Sequence, residues 1–201
     1  MKLEEVFKDE MRFITDEKIR NLIVDCNKLV PEYFWTCPAS TTGKYHPKVS
    51  LGKFGLIRHT KLAVWWGIEI NRCWSNEYLG RLNEIICALI LHDIQKNGES
   101  LDKQGYPTLD NSTKVHGAIL AGKIAEESSE SIDRIITAIG GHMGIWTAEE
   151  FKQYKPENQK DLKTRILCYI VHLADYCASR KCDDKAIQLS KLEFNDYKKG
   201  E

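Results

Sequence analysis

The sequence predicts an all-α protein: a single helical bundle with long loops around one site. Apolar residues recur at intervals of three and four along most of the 201 residues, the period of helices with one buried face. No stretch alternates apolar and polar residues as a half-buried strand does. Two irregular stretches, about 31–55 and 96–114, are rich in Gly, Pro, Ser and Thr. Loops of that length in a small domain commonly carry function.

Taken in order, Val6, Met11, Phe13, Ile14, Ile19, Leu22, Ile23 and Leu29 predict one or two amphipathic helices before Pro31. The stretch TCPASTTGKYHPKVSLGKFG then reads as a long loop. Helical spacing resumes over about 56–74 and 78–93, the second ending in the apolar run Ile85–Leu91. After the loop KNGESLDKQGYPTLDNSTK, helices are predicted over about 115–127, 131–139 and 158–180. The last carries Leu162, Ile166, Ile170, Leu173 and Cys177 near helical spacing. From Lys181 the tail is polar, with a short apolar piece at Ile187, Leu189 and Leu192. No repeat or linker divides the chain, so residues 1–201 read as one domain. Its core spans about 34–180, with N-terminal helices over 1–30 and a tail over 181–201.

Lys plus Arg equals Asp plus Glu, 29 against 29. That balance argues against a broad electrostatic footprint for long duplex nucleic acid. No apolar run reaches the ~20 residues of a membrane span, and MKLEEVFKDE lacks the basic start and apolar centre of a secretory signal. A cytoplasmic location, with no membrane partner, is the expectation. Seven cysteines, an odd number without a CxxC pair, do not make a disulfide framework. Cys87 and Cys168 sit in apolar runs and read as small buried hydrophobes, and the same reading is preferred for the rest, including Cys177 and Cys182.

The segment LILHDIQKNG carries the chemistry. A run that reads as buried finishes on His92 and Asp93, two adjacent metal-ligating side chains. The other candidates are placed comparably. His59 lies in GLIRHT, His116 opens KVHGAILAG, His142 follows AIGG, and Asp175 lies in VHLADYCASR. A single such histidine is ordinarily just hydrogen-bonded or solvated. Five ligand-bearing positions on five different predicted helices are another matter, because bundles build metal sites from side chains on facing helices. Imidazole and carboxylate together suit Mn, Fe, Co, Ni or Zn. Asp93 has two oxygens and can bridge two ions, and Lys96 lies one turn on, able to orient Asp93 or reach a phosphate.

The order His59, His92-Asp93, Asp175 resembles the H…HD…D signature of the HD superfamily of metal-dependent phosphohydrolases. LILHDIQK is similar to that family's LxHDIxK segment, and His116 and His142 match the extra histidines of its bimetallic members. The stretch from VHGAILAG to ADYCASR resembles the HD hydrolases of dinucleoside tetraphosphates. CPASTTGKYHP…GLIRHT resembles the HD domain of 3′-to-5′ exoribonucleases. Together these cover about residues 34–180. The resemblance implies one metal held by His59, His92, Asp93 and Asp175, and a second, for which Mg is also an option, held by Asp93, His116 and His142. The HD-GYP cyclic-dinucleotide phosphodiesterases carry paired histidines where this chain has Gly141-His142, which argues against that subgroup.

The implied reaction is in-line attack on phosphorus by a water activated between two divalent ions. Lys96, with Lys44, Arg58 or Arg180, would neutralise phosphoryl charge, and His46 would protonate the leaving oxygen. For His46 ordinary loop solvation, and for Arg180 an ordinary surface position, are the competing accounts. His172, three residues before Asp175, reads as a core residue. A nucleotide or short oligonucleotide is the expected substrate. Tyr33, Phe34, Trp35, Tyr45, Tyr106 and Trp146 flank the site segments, and some could stack a base, though Trp35, Trp65 and Trp66 are as easily core. Trp65 and Trp66, if exposed, would mark a homodimer face. Two rivals stay open: a diiron oxygenase of the same superfamily, of the inositol oxygenase kind, and a nucleotide sensor without turnover.

Overall fold

The computed structural model describes residues 1–73, 81–98, 100–107, 116–124 and 129–180. Its α-helices are α1 (Leu3–Val6), α2 (Lys8–Met11), α3 (Glu17–Asp25), α4 (Gly55–Arg72), α5 (Leu82–Leu91), α6 (His116–Ile124), α7 (Glu130–Gly141) and α8 (Leu162–Ala178). Among the described residues there is no strand, only an isolated bridge between Leu101 and Pro107. The all-α expectation holds. No described helix is long and apolar enough to cross a membrane.

The centre of the bundle is α5. Every residue from Glu84 to Leu91 is buried, because α3, α4, α7 and α8 all pack around it. This explains an apolar run with no polar face: a helix enclosed on all sides has none to show. Ile85, Ile86, Leu89, Ile90 and Leu91 are each 0% exposed, each contributing roughly 1.5–3 kcal/mol by removal from water. The outer helices follow the amphipathic pattern and are capped as their sequences dictate. Asp16 accepts from the Lys18 and Ile19 amides at 2.9 and 3.2 Å, Ser129 from Ile132 at 3.3 Å, and Asp161 from Thr164 at 2.8 Å. Such caps are typically worth ~1 kcal/mol each.

The expected helix boundaries shift where caps and packing intervene. The N-terminal segment forms three short helices, because the chain leaves helical backbone at Phe7 while burying its ring completely. The last helix starts at Leu162 rather than near 158, since Asp161 caps it and residues Pro156–Asn158 form a separate 3₁₀ turn. The end of α5 is Leu91, with His92 and Asp93 in the turn that follows. The expected tail over 181–201, with Cys182, lies outside the described residues.

Two close approaches set the helices at the distances the site needs. A Cβ on Gly67 of α4 would lie 2.3 Å from Leu89 Cδ1 of α5. A Cβ on Gly117 of α6 would lie 2.5 Å from the Ile139 carbonyl oxygen and 2.7 Å from His142 Nδ1. The long loop, which contains 3₁₀ turns at Glu32–Trp35 and Lys48–Ser50, folds back on the start of α4. Phe54 donates its N–H to the Thr36 carbonyl and Leu56 to that of Cys37, both at 2.9 Å. Trp35 is buried, and Trp65 and Trp66 are half-buried against the core.

One buried charge supports α5 itself. Glu84, 6% exposed, is paired with Arg81 at 2.9 Å and with Arg134 of α7 at 2.6 Å. Glu84→Ala removes the shared partner of two largely buried guanidinium groups and is expected to cost about 3 kcal/mol in urea unfolding. Glu130→Ala removes an 85%-exposed partner of the same Arg134 and is expected to cost less than about 1 kcal/mol.

Candidate metal centre

Five helices deliver six ligand-type residues to one point. His59 comes from the second turn of α4, His92 and Asp93 from the turn after α5, and His116 from the first residue of α6. His142 directly follows α7, and Asp175 projects from α8. Buried His59, His92, Asp93, His116 and His142 are at most 4% exposed, and the Asp175 side chain is 17% exposed. The question raised by LILHDIQKNG is answered by topology. The most enclosed helix of the bundle ends at its centre, so the residues just past that end face the inner ends of the other helices.

The local backbone sets which nitrogen each ring presents. A helix end leaves carbonyls without intrahelical partners. His92 donates its Nδ1–H to the Leu89 carbonyl, and His142 donates its Nδ1–H to that of Ile139, both at 2.7 Å. Each bond commits Nδ1 as donor and turns Nε2 toward the site, the arrangement of metal-ligating histidines.

The donors form two groups that share one residue: His59, His92, Asp93 and Asp175, and Asp93, His116 and His142. The sharing is atomic. Asp93 Oδ2 faces His59 and His92 Nε2 at 3.5 and 3.4 Å. Asp93 Oδ1 faces His116 and His142 Nε2 at 2.9 and 3.7 Å. Asp175 Oδ1 closes the first group at 3.0 Å from His59 and 3.6 Å from His92. In the second, His116 and His142 Nε2 are 3.0 Å apart. Ligand atoms about 2.1 Å from one first-row divalent ion sit roughly 3.0–3.4 Å from each other. These separations fit such ions.

Electrostatics agree with the donor set. His92 Nε2 is buried without a hydrogen-bond partner, a costly arrangement that a coordinated cation would relieve. Burial opposes charge on Asp93, yet Lys96 and His92 hold its carboxyl well below the usual carboxylate range. Asp175 is likewise held low against burial, by His59 and His92. Burial disfavours a charged His92, but Asp93 and Asp175 raise it to about 10. Two buried carboxylates thus recruit positive charge from the protein itself. His142 is pushed down to about 3 by burial, reinforced by His116 and His92, which favours an unprotonated Nε2, the form that can coordinate a metal.

The other sequence candidates divide. Lys96 Nζ reaches Asp93 Oδ2 at 2.6 Å, in the place expected of it. Its neighbour Asn97 is tied to Tyr33: the Tyr33 hydroxyl accepts the Asn97 amide at 3.2 Å and donates to its carbonyl at 3.1 Å. His46 reaches the site, its ring 5.4 Å from that of His59. Burial, with His59 adding to it, pushes His46 down to about 3. The shift favours its neutral form. Arg58 gives Nη2 to the Leu51 and Lys53 carbonyls at 3.0 and 2.8 Å and Nε to that of Val49, clamping the loop ahead of α4. Lys44 lies outside the ligand set, over the ring of Tyr45. Arg180 lies over Tyr176 and near Tyr45.

Two contributors carry little sequence signal. His172, read as a core residue, is half-buried and donates Nδ1–H to the His142 carbonyl at 2.7 Å. Gly117 brings α6 against α7 so that His116 meets His142, and the adjacent HG of KVHGAILAG was the available clue.

Chelator-treated protein is expected to gain thermal stability when Mn²⁺ is added, as for any ligand that binds only the folded state. Asp93→Ala disrupts both donor groups and is expected to lose both the gain and bound metal in elemental analysis. His142→Ala disrupts one group and is expected to retain roughly half the wild-type metal. Gly117→Ala, which displaces α6 from α7, is expected to behave like His142→Ala while remaining folded.

The HD domain matches residues 56–180, well over half of the 201-residue chain. No curated protein and no solved structure matches it. The matched span contains all six ligand-type residues, in an α-helical bundle with a clustered His/Asp site, and the chain belongs to the HD domain family.

Proposed function

We propose that the protein is a metal-dependent phosphohydrolase acting on a phosphoester or phosphoanhydride bond of a nucleotide or short oligonucleotide. The observation that carries this reading is the division of Asp93. One oxygen serves each donor group, and Lys96 approaches one of those oxygens at 2.6 Å. Divalent ions held there would supply activation of water and neutralisation of phosphoryl charge.

The protein's own contribution is positioning. Among the described residues of the site, Asp175 and Lys96 are the more open, with side chains 17% and 13% exposed. Substrate enters there, between the His46 loop and the end of α8. Asp93 and Asp175 stay ionised at neutral pH and hold the ions in place. Lys96 stays charged, since Asp93 and Asp175 overcome the effect of its burial, and it is placed to bind a phosphoryl oxygen as charge builds up. His46 offers a neutral hydrogen bond at the mouth.

Protein loaded with Mn²⁺, Co²⁺ or Ni²⁺ is to be offered nucleoside mono- and triphosphates, dinucleoside polyphosphates, cyclic nucleotides and short oligonucleotides, with products read by mass spectrometry. Cleavage is expected for at least one class. Asp93→Ala is expected to reduce it by about a thousandfold, the equivalent of several kcal/mol of transition-state stabilisation. Lys96→Ala is expected to keep its metal and lose about a hundredfold in turnover. No cleavage across the panel, with oxygen uptake by the ferrous protein, would overturn the proposal in favour of an oxygenase.

A further inference from the structure

We propose that an aromatic and cationic rim beside the metal centre, formed by Trp146, Tyr176, Arg180, Tyr45 and Lys44, receives the base of a nucleoside phosphate whose phosphates reach the ligand cluster. The inference rests on the phosphohydrolase reading and assigns the surface that would hold the base of its substrate.

The rim is an exposed apolar surface with a defined construction. Trp146 and Tyr45 are each 54% exposed and Tyr176 39%, a grouping of large rings that a soluble surface rarely leaves open without a use. Trp146 and Tyr176 lie parallel to within 8°, their centroids 6.1 Å apart. The Arg180 guanidinium carbon lies 3.8 Å from the centroid of Tyr176 and 5.4 Å from that of Tyr45. Lys44 Nζ lies 5.0 Å from the Tyr45 centroid. Two cations thus bracket Tyr45, next to two parallel rings.

The three rings of the rim lie close in sequence to the ligands Asp175 and His142 and to His46 beside them. Tyr176 follows Asp175, Tyr45 precedes His46, and Trp146 closes the 3₁₀ turn Gly144–Trp146 just beyond His142. That turn is held in two ways. Gly144 has φ +56°, and a Cβ there would lie 2.3 Å from the ring of His172. His172 in turn donates to the His142 carbonyl and lies 6.2 and 6.3 Å from the rings of Trp146 and Tyr176. Residue 144 therefore has to be glycine both for its backbone and for its neighbour, and the result is a Trp side chain held in solvent next to the site. Rings alone would suit many apolar partners. Rings with Lys44 and Arg180 beside a divalent-metal donor set complement a molecule with a flat apolar end and an anionic end, which describes a nucleoside phosphate.

The test compares two ligands that share the same phosphorus end. α,β-Methyleneadenosine 5′-diphosphate and methylenebisphosphonate both contain a P–C–P bond that water does not cleave, and they differ by the nucleoside. Calorimetric titration of the full chain at saturating Mn²⁺ is expected to show at least about tenfold tighter binding of the nucleoside ligand, the lower range for stacking one base on an aromatic side chain. Trp146→Ala and Tyr176→Leu are expected to bring the ratio toward one. Equal affinity of wild-type protein for the two ligands overturns the inference, and this is also the result a rim covered by a second copy of the chain would give. A ratio unchanged in both variants overturns it as well. Hydrolysis is read separately, on the substrate panel above, and intact ligand is verified by mass spectrometry after each titration, so the outcomes separate: hydrolysis without base selectivity overturns the rim and spares the phosphohydrolase, while base selectivity without hydrolysis does the reverse.

Discussion

The buried carboxylate of Asp93 is the constraint on which the structure turns. It is 2% exposed and ionised, and a charge taken that far out of water is tolerated only when compensated. The protein surrounds it with Lys96 and the Nε2 atoms of four histidines. Those histidines must come from α4, from the ends of α5 and α7, and from the start of α6. The bundle therefore has to bring one end of each of these helices to a single point. The unbroken apolar face of α5 and the small residues at the helix crossings, Gly67 and Gly117, serve that convergence as much as they serve stability.

The same charge explains the unusual proton affinities around it. Burial disfavours the charged form of both rings; Asp93 and Asp175 outweigh it at His92 and draw it up to about 10, while at His142 burial, reinforced by His116 and His92, prevails and drives it down to about 3. A divalent ion offers a single solution for all of them, since it compensates both carboxylates and uses the lone pair of each ring. His92 Nε2, buried without a partner, fits that account.

Outside the ligand cluster, the environment is graded from dry to wet. His59, His92 and His142 are fully enclosed, Lys96 and Asp175 are partly open, and Tyr45, Tyr176 and Trp146 stand in solvent. The loop ahead of α4 reaches into this gradient because Arg58 clamps its carbonyls and Phe54 adopts a left-handed backbone, φ +64°, at the turn into the helix. Such a conformation in a bulky residue costs of order 1–3 kcal/mol. The loop's amide bonds from Phe54 and Leu56 to Thr36 and Cys37 help to offset it. The result places His46 beside His59.

The sequence by itself determined the helical class, the enclosed character of α5 and the identity of the six clustered residues. The first two follow from properties read locally, a 3.6-residue period and an apolar run without a polar face, and the third from the resemblance of the order of these His and Asp residues to the HD signature. What only the tertiary structure decided depends on distances between residues far apart in the chain. The split of the Asp93 oxygens needs His59 and His116 on opposite sides, 34 and 23 positions away in sequence. Arg58 and His172 have unremarkable local sequences, and their roles come from the carbonyls they happen to meet. The lowered proton affinity of His46 comes chiefly from its partial burial, which is set by packing from every side and which no single segment encodes. The ends of the helices differed for a related reason. Caps such as Asp161 and breaks such as Phe7 are local, but which of several available stops the chain uses is settled by what the adjoining side chains can bury.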